Sequence, residues 1–93
     1  MLVFYIPGYL RQFTGSPRVE ITTAPATVGA ALEALWTLHP GVRDRVVTER
    51  GDVRPHVNVF VGIESIRHTG GLATPLPSQS EIEISIVPAV SGG

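Results

Sequence analysis

The sequence closes on Val87-Pro88-Ala89-Val90-Ser91-Gly92-Gly93, where an apolar run passes a proline, shrinks to small residues and stops on two glycines. These are the residues whose types and spacing point most directly to chemistry. Without a Cβ, Gly92 and Gly93 take up extended or positive-φ backbone freely and let a second protein close tightly around them. The only ionisable group in this stretch is the carboxylate of Gly93. Such an end, apolar to small to bare backbone, reads as one meant to be inserted. Pro88 stiffens the exit, and residues 88–93 span at most about 20 Å when extended. The segment is therefore expected to be a flexible tail, 88–93, carried by a folded body, 1–87.

The rest of the composition removes alternatives. The chain has neither cysteine nor lysine, and all seven basic residues are arginines. This excludes a disulfide framework, a thiolate nucleophile and a Cys-ligated zinc, together with a phosphate-loop lysine and a Schiff base. The missing lysine is read first as coding bias. It also leaves the side chains without an amine or a thiol. Seven arginines against eight acids, net charge −1, supply no basic field for a phosphate backbone, so nucleic acid is not expected as a partner. His39, His56 and His68 are scattered, without carboxylate or cysteine spacing around them, and read as surface residues rather than metal ligands.

A length of 93 residues with 43% hydrophobic and 16% charged content fits one soluble domain. No apolar run is long enough to cross a membrane. The opening residues carry no basic leader and reach Pro7-Gly8 quickly, so a cytoplasmic location is expected.

Residues 2–6 read as a strand that is apolar on both faces and hence central, with Leu2, Phe4 and Ile6 on one side and Val3 and Tyr5 on the other. Residues 9–15 are expected to be a plain connection to a hairpin partner at 18–22, with Val19 and Ile21 inward. Thr27 is a candidate N-cap for a helix over 28–39 whose stripe is Val28, Ala31, Leu32, Leu35 and Leu38, with Trp36 at its edge and Pro40-Gly41 as the stop. One weak helical turn and a mobile loop follow. Residues 57–61 are a strand with three valines toward the helix and Asn58 and Phe60 on the other face. Residues 63–67 read as a short edge strand, and Gly70-Gly71 as turn geometry rather than a phosphate cradle. Residues 81–87 alternate cleanly and bury Ile82, Ile84 and Ile86. The expected fold is α+β, a mixed sheet of four to five strands with one main helix on one face.

That order, ending in a strand and Gly-Gly, is similar to the ubiquitin-like β-grasp. The residues resemble the MoaD/ThiS family of bacterial sulfur carriers over essentially the whole chain. The resemblance is carried by Ile6, Pro7, Leu10, Arg11, Thr14 and Gly15 after the first strand, by Val57-Asn58-Val59-Phe60-Val61 with Arg67, and by Gly70-Gly71-Leu72-Ala73-Thr74. Above all it is carried by Pro88-Ala89-Val90-Ser91-Gly92-Gly93. Two positions depart from the family pattern: Ser91 where alanine is common, and Gln79-Ser80 where a Gly-Asp turn is common. The middle segment is closest to the branch serving cysteine biosynthesis.

The resemblance implies that the chain is a carrier rather than an enzyme. Its Gly93, with Gly92 beside it, would be adenylated by an E1-like enzyme and converted to a thiocarboxylate. ATP and magnesium would belong to that activating partner, and this chain would bind no cofactor or metal. The acceptor would be a cysteine-synthase-like enzyme or a molybdopterin synthase large subunit, with thiamine synthesis and ubiquitin-like protein modification as the other readings. Recognition is expected on the open sheet face, where Val3, Tyr5 and Phe60 project away from the helix with Leu10 nearby, and along the exit itself, Pro88, Ala89, Val90 and Ser91.

Overall fold

The computed structural model describes residues 1–89 of the chain. Its strands are β1 (Leu2–Tyr5), β2 (Arg18–Ile21), β3 (Val57–Val61), β4 (Glu64–Ser65) and β5 (Ile82–Pro88), in one mixed sheet ordered β2-β1-β5-β3-β4. β1 runs parallel to β5 with Phe4 opposite Ile84, and antiparallel to β2 with Phe4 opposite Val19. β3 runs antiparallel to β5 with Val59 opposite Ile86. The period-two alternation of β5 is realised directly: Ile82, Ile84 and Ile86 are buried, whereas Glu81 and Glu83 are exposed. This is the α+β sheet-on-helix arrangement expected from the sequence.

The covering layer is richer than one helix. Helix α2 (Val28–Leu38) starts where Thr27 Oγ1 accepts a hydrogen bond from the Ala30 amide at 3.2 Å, which satisfies one of the free amides of its first turn. Val28, Ala31, Leu32 and Leu35 are buried, but Leu38 is 55% exposed. Beyond it comes α3 (Pro40–Val46), whose Val42 and Val46 are buried in the same core as the inner face of α2. The expectation of one weak turn here understates a seven-residue helix that begins on Pro40. Proline lacks an amide that the first helical position does not use, so the residue that stops α2 also starts α3. Residues 48–52 form a hydrogen-bonded turn, with the Thr48 amide donating to Asp52 O at 2.8 Å and the Gly51 amide to Thr48 O at 2.9 Å.

The connection from β1 to β2 is also structured. A 3-10 turn (Gly8–Leu10) leads into α1 (Arg11–Thr14), closed by Gly15 in the left-handed region at φ 73°. It folds to the helix side of the sheet, so Leu10 is completely buried in the core and Phe13 packs against it. The edge strand is shorter than the expected 63–67. Ile63 sits almost fully exposed in the turn before β4, and Ile66 leaves the strand for a 3-10 turn (Ile66–His68) that buries it.

Gly70 and Gly71 do serve turn geometry. Their φ values are 120° and 63°, and a third 3-10 turn (Gly71–Ala73) is locked by Thr74 Oγ1 donating to Gly71 O at 2.6 Å. Its backbone packs on α2 so closely that a Cβ on Gly29 would lie 3.1 Å from Leu72 O.

Candidate functional site

The face of the sheet turned away from the helices is organised by strand register. Arg18, Tyr5, Ser85, Phe60 and Ser65 stand in one row across all five strands. Tyr5 is 38% exposed and Phe60 half-buried, and neither belongs to the helix-side core. The Tyr5 hydroxyl donates to Glu83 Oε2 at 2.8 Å, and Arg18 pairs with Glu20. The hydrogen bond to the Glu83 carboxylate, with desolvation and the carboxylate's charge behind it, raises the Tyr5 phenol above its ordinary pKa of 10.0. Burial alone raises Tyr9.

Two residues expected on this face are not available there. Val3 does point away from the helix-side core, yet its exposure is 0%. It occupies the middle strand of a row whose flanking members are Glu20 and Glu83. A short branched side chain between two longer ones is covered by them. Leu10 is equally buried, but on the opposite side, because its connection folds under the sheet. Among the described residues, the apolar surface this face offers is therefore Tyr5 and Phe60, with the half-buried Val87 opposite Asn58, set in a polar frame.

The second part of the site is the end of β5. Pro88 is expected in the tail but stands in the strand, opposite Val57, and the Ala89 amide donates to His56 O at 2.8 Å. Amides alternate in direction along a strand, so the donor that Pro88 lacks would have pointed toward β1. β1 has already ended, with Tyr5 opposite Ser85, and a proline is tolerated where no ladder bond is lost. Val90, Ser91, Gly92 and Gly93 lie outside the described residues.

The strand edge receiving Pro88 and Ala89 is held by a side chain that sequence reasoning singled out only as part of the resemblance. Arg67 Nη2 donates to the carbonyls of Val57 at 2.6 Å, Pro55 at 3.2 Å and Arg54 at 3.3 Å, and its Nε donates to Asn58 Oδ1 at 3.0 Å. Ser65 Oγ donates to the same Asn58 oxygen at 3.1 Å and accepts from the Arg67 amide at 3.3 Å. The available signal was Asn58 itself, a polar residue inside a valine strand. Among the described residues, every buried side-chain nitrogen and oxygen has a partner, no group of three His, Asp or Glu could hold a metal ion, and no helix is long and apolar enough to cross a membrane.

A mixed five-stranded sheet with parallel, adjacent first and last strands, wrapped on a helical layer and running out along β5, defines a ubiquitin-like β-grasp protein. The chain belongs to the ThiS family, whose model matches residues 4–93, and is a sulfur carrier of the MoaD/ThiS type. It is 32% identical over 90 residues to the sulfur carrier protein CysO of Mycobacterium tuberculosis, covering 95% of this chain and 94% of that one. It is 38% identical over 68 residues to small archaeal modifier protein 3 of Haloferax volcanii, covering 73% and 71%. Among solved structures it superposes on a chain of the Amycolatopsis orientalis BexX/CysO complex with a TM-score of 0.84 at 32% identity over the full length of both. For M. tuberculosis CysO the TM-score is 0.85 at 30% identity, covering 97% and 100%. By name these relatives are carriers and modifiers, not catalysts.

Proposed function

We infer that the chain delivers sulfur from its C-terminal Gly93, in cysteine biosynthesis. In this reading an E1-like enzyme binds ATP and magnesium, and the Gly93 carboxylate attacks the α-phosphorus to give an acyl-adenylate and pyrophosphate. A sulfur nucleophile then attacks the acyl carbon and expels AMP, leaving a thiocarboxylate that passes its sulfur to a cysteine-synthase-like acceptor. Tyr5 and Phe60 dock on these enzymes while Pro88, Ala89, Val90, Ser91 and Gly92 line the entry of the tail.

The observation that carries this reading is the family match running through to Gly93, joined to near-complete coverage of the sulfur carrier protein CysO at 32% identity. Deletion of Gly93 is expected to leave the melting temperature unchanged and to abolish ATP–pyrophosphate exchange by the activating enzyme. Undiminished exchange by the shortened chain would falsify the carrier reading. A second reading, conjugation of Gly93 to lysines of other proteins, draws on the 38% identity to an archaeal modifier. Mass spectrometry separates the two. The carrier gains the difference between a sulfur and an oxygen atom at Gly93, whereas the modifier leaves Gly92-Gly93 branches on target lysines. Transfer to a molybdopterin synthase large subunit or to thiamine synthesis would keep the thiocarboxylate and change only the acceptor.

A further inference from the structure

We propose that Arg67 is the positioning residue that sets the direction in which the chain leaves β5 for Gly93. Past Ser85, β5 has lost β1 as a neighbour, so among the described residues the backbone of Pro88 and Ala89 is paired on one side, with His56 and Val57. That backbone belongs to the 54–57 segment, whose carbonyls at Arg54, Pro55 and Val57 all accept from Arg67 Nη2. His56 O, the one carbonyl Arg67 leaves alone there, is the one that accepts the Ala89 amide.

The guanidinium is itself fixed. Its Nε is tied to Asn58 Oδ1, which also takes the Ser65 hydroxyl, and the Ser65 oxygen caps the Arg67 amide. The side chain thus closes a loop from β4 across β3 to the seat of the last described tail residue. Only a planar fork with several donors can reach carbonyls in this way while bonding a side-chain amide oxygen. A lysine, with one point charge, cannot. Adenylation needs the Gly93 carboxylate within about 3.5 Å of the reacting phosphorus, and the four residues after Ala89 reach at most about 14 Å, so a misdirected exit is expected to cost turnover rather than docking.

This inference rests on the carrier reading, and its test has one arm that does not. Arg67→Lys and Arg67→Gln are compared with the unaltered chain. The first arm is amide hydrogen exchange by NMR: both variants are expected to lose about tenfold of the protection at Ala89 while Phe4, Ile84 and Leu32 keep theirs. The second is ATP–pyrophosphate exchange with the activating enzyme: kcat is expected to fall about tenfold with the KM for the carrier within twofold, and Arg67→Lys to give no rescue. Unchanged protection at Ala89, full rescue by lysine, or a loss spread over the whole sheet with a lowered melting temperature would each overturn the proposal. Failure of the unaltered chain to support exchange would instead overturn the carrier reading, with the Ala89 protection still deciding what Arg67 does.

Discussion

Tyr5 illustrates how much one hydroxyl can report. Its bond to the Glu83 carboxylate favours the protonated phenol, so the folded-state pKa lies above the ordinary 10.0. A group whose pKa is raised by folding lends stability that is fully present below the unfolded value and is lost as pH rises through the folded one. Spectrophotometric titration is expected to show both tyrosines ionising above the ordinary range, and Tyr5→Phe to remove the one whose midpoint moves when Glu83 is replaced by Gln. A Tyr5 signal indifferent to Glu83→Gln would mean that the hydrogen bond is absent in solution. On the same face, Phe60→Arg puts a charge where water still reaches, at little cost to the fold, but into what the carrier reading makes a dry contact. Calorimetric titration is expected to show at least tenfold weaker binding to the activating enzyme with the melting temperature within a few degrees. Collapse of the fold would place Phe60 in the core.

Elements differ in how far local residues announce them. β5 and α2 were legible because a period of two and a Thr27-capped stripe are local patterns: Ile82, Ile84 and Ile86 face in, and the cap forms as written. Thr27→Ala is expected to cost about 1 kcal/mol, read as a lowered midpoint in denaturant at unchanged slope. α3 and the structured β1–β2 connection were less legible, because both depend on what lies opposite them in space. Pro40 reads equally as an end or a beginning, and Leu10 reads as a loop residue until the connection is seen to fold beneath the sheet. Leu10→Ala is accordingly expected to cost about 2–5 kcal/mol, a loss large enough to distinguish a core side chain from a docking one by thermal melting alone. The open face was half legible. Alternation placed Val3, Tyr5 and Phe60 on it correctly, but the covering of Val3 depends on which residues β2 and β5 bring alongside, and that register is not written in β1. The Arg67 network was legible only through Asn58, a polar residue inside a valine strand, because a guanidinium that serves backbone carbonyls leaves no pattern in the identities of the residues it serves.

At the scale of the whole molecule, absence of cysteine becomes an experimental handle. Once activated in the presence of a sulfur source, a carrier of this composition is expected to take up a thiol-selective label at Gly93, on a chain with no other thiol to confuse the readout. Labelling of the unactivated chain would show the signal to be nonspecific. The sheet order has a different consequence, concerning synthesis. β5 is the last of the five strands to be made, yet it lies in the middle of the sheet, with β1 on one side and β3 on the other. Until it emerges, those two strands have no common neighbour, and their apolar residues wait as unpaired edges. A chain that stops short of β5 thus leaves β1 and β3 without the strand that joins them. Under the carrier reading, such a chain would lack both the joined sheet and the end on which the partner enzymes act.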